Sequence, residues 1–239
     1  MTAHAHEFWV EPDRMMIPEG GVMAPVLRIG EQLSGETYRF QPQAYAQAIW
    51  SGPADQVDFS RWPLSGPKPA FRAFAPGLHS VAVATFPQKL TYATPDDFRA
   101  FLVEVGREDL WPWETASPAA PIQIRETYRR YAKTIVHFTA RTGMDRRVGL
   151  RREWVWDTDA FVLFDREAPK ANQKTKVTCR AGPAPQAVTE IHMVTGQDGT
   201  IRPVLPSGGR CLINTVFMEK DAGQDMWKSD WVSLFLLVP

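Results

Sequence analysis

The most chemically suggestive stretch of this chain is its beginning, His4-Ala5-His6-Glu7-Phe8-Trp9-Val10-Glu11-Pro12. Ala3-His4-Ala5 has the small-x-small form of a secretory cleavage site, so processing after Ala5 makes His6 the first residue of the mature chain. An N-terminal histidine offers its α-amine and its imidazole to one ion, a two-nitrogen chelate suited to Cu, Ni, Co or Zn. Cleavage before His4 gives the same chemistry with His4 first. The alternative is a solvated tail or a tag remnant. Met1 and Thr2 abut the cleavage tail directly, so the charged and apolar regions of a signal peptide would lie outside this sequence, and the extension blocks the His6 amine.

Further candidates are scattered. His79 opens a strand and points to the face opposite Leu78 and Ser80; alone it reads as a satisfied strand histidine, and it becomes a second ligand if His6 lies nearby. His137 reads as a strand histidine. His192 and Met193 put a nitrogen beside a soft sulfur, but on opposite faces of a strand, which argues against shared ligation. Cys179 and Cys211 either bridge facing strands in an exported protein or stay as buried thiols in the cytosol. Their separation, with no CxxC, makes a poor zinc site. No HExxH, GxSxG or glycine-rich phosphate loop occurs, so no enzyme activity is assigned. Asp96-Asp97 is explained by a helix start.

The elements that must position these groups are mainly β. With 44% apolar residues, nine Trp, 20 Pro and 16 Gly, the chain reads as a well-packed protein with many turns and few long helices. Lys+Arg and Asp+Glu are both 27, which argues against nucleic acid or an anionic surface as partner. No apolar run reaches the roughly 18–20 residues of a membrane-spanning helix. Strands are expected at Val22–Ile29, Ala44–Trp50 and Leu78–Phe86, with Phe71–Ala75 pairing with the last across the Pro76-Gly77 turn. Thr94-Pro95-Asp96-Asp97 starts a helix ending near Gly106, its buried face made by Phe98, Phe101, Leu102 and Val105. Gln123–Ala132 reads as helix or turn leading into a strand at Thr134–Phe138. Beyond residue 160, short strands with a turn about every ten residues suggest a small Ig-like sandwich: Lys174–Cys179, Ala187–Val194, Ile201–Leu205, Cys211–Met218 and Trp231–Val238. The expected fold is thus two β-sandwich (Ig-like) units, residues 1–158 with a helical insertion near 94–132, and residues 159–239.

Taken together, His6 to Pro12, Leu27-Arg28-Ile29-Gly30-Glu31 with Gly35-Glu36, Ala75-Pro76-Gly77-Leu78-His79, Glu126 with Tyr131-Ala132-Lys133, Leu150 to Glu153, Asp198-Gly199, Leu205-Pro206, Gly209-Arg210, Asn214 and Trp231-Val232-Ser233-Leu234 resemble a periplasmic family of unknown function described as the periplasmic component of cobalt or nickel transport. The resemblance spans nearly the whole chain. It implies export to the periplasm, a two-part β-rich architecture and a divalent transition metal at the N-terminal histidine. One departure stands out: Phe217 occupies a position where many relatives carry histidine, which reduces or alters the site if that position ligates metal.

Both lines converge on His6 as main ligand and His79 as second, with His4 substituting for His6 and Glu126 as an oxygen donor; the ion is Ni, Co, Cu or Zn. The leading expectation is a periplasmic protein that binds and releases a metal ion for an uptake system. The second is an Ig-like interaction module docking on a membrane transporter or receptor. The third is a copper enzyme with an N-terminal histidine brace.

Overall fold

The computed structural model describes residues 6–38, 41, 44–60, 75–111, 124–182, 187–221 and 226–238. The chain is mainly β, with one α-helix among the described residues. The strands are β1 (Glu7–Glu11), β2 (Met16–Ile17), β3 (Val26–Glu31), β4 (Ser34–Tyr38), β5 (Tyr45–Ser51), β6 (Gln56–Asp58), β7 (Gly77–Thr85), β8 (Gln88–Thr91), β9 (Arg125–Phe138), β10 (Arg152–Asp157), β11 (Ala160–Asp165), β12 (Ala168–Pro169), β13 (Lys174–Arg180), β14 (Val188–Val194), β15 (Thr200–Ile201), β16 (Arg210–Lys220) and β17 (Met226–Leu237); the helix is α1 (Pro95–Glu104).

A ten-stranded sheet forms the centre, in the order β14-β13-β16-β17-β9-β7-β5-β6, with β2 and β8 also pairing with β9. Both of its faces are covered. Along β7, Val81 and Val83 enter one core with Phe8, Val10, Leu27, Ala132 and Val136, beneath the three-stranded sheet β1-β3-β4. Alternate residues Leu78, Ala82 and Ala84 enter another core with Leu150, Trp154, Phe161 and Leu163, beneath the β10-β11-β12-β15 sheet. This two-sided burial explains why β7 is buried at every position, as a run of small and β-branched residues allows. The two packed layers share the central sheet. Pairing of β17 with β9 carries that sheet across the division expected after residue 158, and residue 158 itself sits in the turn of the β10–β11 hairpin.

The helix forms as its sequence predicts. Thr94 caps it reciprocally with Asp97, and Pro95 takes the first turn. At its other end Gly106 adopts φ +67°, letting Arg107 N–H donate to Leu102 O at 2.7 Å and Gly106 N–H to Val103 O at 3.0 Å, a Schellman closure. Phe98, Phe101 and Leu102 pack on Trp227, Trp231, Val216 and Met218, so α1 lies on the central sheet.

One expectation is corrected. Gln123–Ala132 does not form a helix: β9 is one strand from Arg125 to Phe138. Its charged half is held by pairing with β17 on one side and with β8 and β7 on the other. β7 has β5 and β9 as neighbours, while the expected partner at Phe71–Ala75 lies outside the described residues except for Ala75.

Candidate functional site

His6 is the residue just before β1, and its Nδ1 lies 3.2 Å from Glu31 Oε1, with the two side chains 41% and 46% exposed. Glu31 ends β3, and the antiparallel register sets Glu7 opposite Gly30, which is why the His6 and Glu31 side chains meet. His4 lies outside the described residues.

His79 is buried on β7, its ring against Trp50 at 5.1 Å and Phe138 at 4.7 Å between centroids. One ring nitrogen, Nε2, lies 2.9 Å from Ala75 O, and Nδ1 is buried with no hydrogen-bond partner among the described residues. Burial lowers its pKa, against the raising effect of the Ala75 carbonyl. His79 is not brought to His6. Glu7, next to His6, reaches Lys176 on β13, and β7 is four strands away in the sheet order, roughly 19 Å at the usual spacing.

Glu126 is remote from His79. It lies on β9 ten residues before Val136, the partner of His79, roughly 30 Å of extended strand. It accepts from Tyr92 Oη at 2.5 Å and from Ser229 Oγ, and burial pushes its carboxyl above the ordinary range. Its lone pairs are thus engaged in the core beside α1. Phe217 is core, 4% exposed, with the Arg152 guanidinium carbon 3.8 Å above its ring centre. Among the described residues no group of three or more His, Cys, Asp or Glu could hold a metal ion. The described donors at the N-terminal end are therefore the imidazole and carboxylate of one open pair.

Cys179 and Cys211 face each other across β13 and β16 and are bridged, with Cα atoms 4.2 Å apart. The expectation left thiol and bridge open; the register decides for the bridge.

Beside β1 the structure contains a cavity that the sequence did not reveal. It measures about 360 Å³ and lies between the end of α1, the edge strand β14, its neighbour β13, and β16 and β17. Glu7, 1% exposed, lines it with Lys176, whose Nζ is 2.8 Å from Glu7 Oε1. Burial pushes the Glu7 carboxyl up, and Lys176 opposes that. Burial alone would lower the Lys176 ammonium, but the carboxylates of Glu7, Glu190 and Glu104 hold it above its ordinary value. His192 and Met193 both line the cavity despite their alternation, because β14 is the outermost strand of the sheet. One signal was available: Glu7 is a charge inside an aromatic run, and a buried charge calls for a partner.

Comparison with known proteins adds little. No family model and no curated protein matches the chain. Among solved structures it is similar to the D0-D1 domain of Intimin, at 9% identity over 94% of this chain and 96% of that one, with a TM-score of 0.20. Nothing is extended from that protein to this one at so low an overlap.

Proposed function

We propose that the chain is an exported, periplasmic protein that binds a divalent transition-metal ion at the free end of β1 and releases it to an uptake system, without chemistry of its own. The observation that carries this reading is the His6–Glu31 pair, an imidazole and a carboxylate 3.2 Å apart and both open to solvent. A nitrogen and an oxygen donor suit Ni, Co, Cu or Zn, and the His6–Glu31 contact that an ion would enter is solvent-exposed. Where His6 is the first residue, its α-amine adds a third donor. The Cys179–Cys211 bridge supports export, since such bridges persist in oxidising compartments. Among the described residues no helix is long and apolar enough to cross a membrane, and the uptake system that receives the ion is a membrane partner in this reading.

Calorimetry with Ni(II), Co(II), Cu(II) and Zn(II), on a chain beginning at His6 and on the chain beginning at Met1, tests the reading. Saturable binding by the His6-first form, weakened by His6→Ala and by Glu31→Gln but retained in His79→Ala and Glu126→Gln, is expected. Failure of both forms to bind any of the four ions would transfer the chain to the interaction-module class.

A further inference from the structure

The central sheet ends on β14, the longest strand with a single strand neighbour among the described residues. None of its residues, Val188-Thr189-Glu190-Ile191-His192-Met193-Val194, is buried. The devices that usually blunt an open edge are missing from it. It holds no proline or lysine, and its register with β13 runs from Lys174↔Val194 to Arg180↔Val188 without a bulge. By contrast β6, at the far end of the sheet, has three residues.

The ladder fixes which backbone groups face outward. Thr195 N–H donates to Gln173 O at 3.0 Å, continuing the β13–β14 register, so Met193, Ile191 and Thr189 in turn direct their N–H and C=O towards β13. The bridged pair agrees. Cys179 and Cys211 have Cα atoms 4.2 Å apart, the spacing of opposed residues that exchange no hydrogen bonds, so the backbone bonds of Cys179 go to Thr189 on its other side. Val188, Glu190, His192 and Val194 therefore direct their backbone groups away from the sheet. Ile191 and Met193 pack on the core shared with β10 and β11, which puts the Glu190 and His192 side chains on the opposite face.

We propose that β14 pairs antiparallel with β14 of a second copy of this chain, about a two-fold axis through Ile191. A second copy is the occupant that fits, because in this register the strand is complementary to itself. Ile191 meets Ile191, and on each side of the axis the Glu190 carboxylate meets the His192 imidazole. The outward-directed residues also face one another, Glu190 with His192 and Val188 with Val194, so each pair exchanges both of its backbone bonds. Placing the axis at Glu190 or at His192 instead sets like groups opposite each other and shortens the overlap. One added strand pairing buries less than a permanent dimer needs, so the association depends on concentration. It involves neither His6 nor Glu31, and stands or falls independently of metal binding.

Sedimentation velocity from about 1 μM to about 1 mM, with EDTA present, provides the test, and circular dichroism reports the fold of each variant. A monomer–dimer equilibrium is expected. Glu190→Lys and His192→Glu should each weaken it about tenfold. Mixed together, these two variants should pair, because the new lysine then faces the new glutamate. His192→Pro removes an outward N–H and leaves the β13 ladder alone, so it should abolish the dimer in a folded chain. Both native cysteines are bridged, so Ile191→Cys sets a lone thiol on the axis and should crosslink two copies under mild oxidation. Val194→Cys, at a position 56% exposed but roughly 20 Å from its counterpart across the pair, should not. A monomer throughout the range, a dimer indifferent to His192→Pro and to both charge changes, or crosslinking at Val194→Cys as fast as at Ile191→Cys overturns the proposal. In the monomeric case, slow amide exchange at Glu190 and His192 would give the edge to another part of this chain, and fast exchange would leave it to a different protein.

Discussion

Gly52 lies so close to the imidazole of His79 that a methyl group on its Cα would stand 2.6 Å from Cε1 and 2.7 Å from Nδ1. The glycine is there for its missing side chain. His79 fills the slot between Trp50 and Phe138, and this packing accounts for its burial.

Gly52→Ala must therefore push the ring off its rotamer or shift β5 from β7. Overpacking of this kind costs about 1–3 kcal/mol. A lowered denaturation midpoint is expected, with metal binding at His6 unchanged. Full stability in the alanine variant would show that the ring has room to move.

Lys133 provides a sharper test of the second core. Its ammonium is 1% exposed and contacts Asp145 Oδ1 at 2.8 Å, Arg146 O at 2.8 Å and Trp154 O at 3.3 Å, with Glu153 Oε2 at 4.0 Å. Lys133→Met leaves the buried Asp145 carboxylate without its cation, while Glu153 keeps Arg147 at 3.2 Å, a loss of about 3–5 kcal/mol. Urea unfolding should register it, and adding Asp145→Asn should recover part, since the amide oxygen still accepts from Trp156 N–H. If the double variant is no more stable than Lys133→Met, charge is not the source of the loss.

Glu126 predicts a pH dependence. Burial raises its pKa in the folded chain above the ordinary value of 4.5. The folded state then holds the proton more tightly than the unfolded one, so stability from this group is present below about 4.5 and is lost as pH rises through the folded pKa. Glu126→Gln lacks that loss while still accepting from Tyr92. The melting temperature of the variant minus that of the parent should grow more positive from pH 4 to pH 8. Taking the difference cancels Glu7, Glu153 and Asp230, whose carboxyls burial also raises. A flat difference across that range would mean Glu126 ionises as readily folded as unfolded.

The helix was legible because everything that makes it is local: cap, proline, acidic first turn and closing glycine fall within 13 residues, 94 to 106. Strand β7 was legible from its alternation. Strand β9 was not, because Arg125-Glu126-Thr127-Tyr128-Arg129-Arg130 has no period-2 apolar pattern; it is a strand because neighbours on both sides supply its hydrogen bonds, and the Arg130 guanidinium lies over the rings of Phe8 and Tyr128. The proposed ligand pair was half legible. His6 could be singled out by chemistry alone, but grouping it with His79 and Glu126 required a strand order that the sequence does not state. Glu31, its actual neighbour, depends on the β1–β3 register, and the cavity depends on Glu7, Lys176 and Asn214 meeting across three distant strands.

The place of β17 bears on how the molecule comes to exist. Of the strands described, this one comes latest in the sequence, yet it lies in the middle of the central sheet, antiparallel to β16 and parallel to β9. Until it emerges, the sheet is two fragments, β14-β13-β16 and β9-β7-β5-β6, each with a bare edge. β17 is thus the strand that joins them, and the central sheet becomes continuous only when both of its edges are paired.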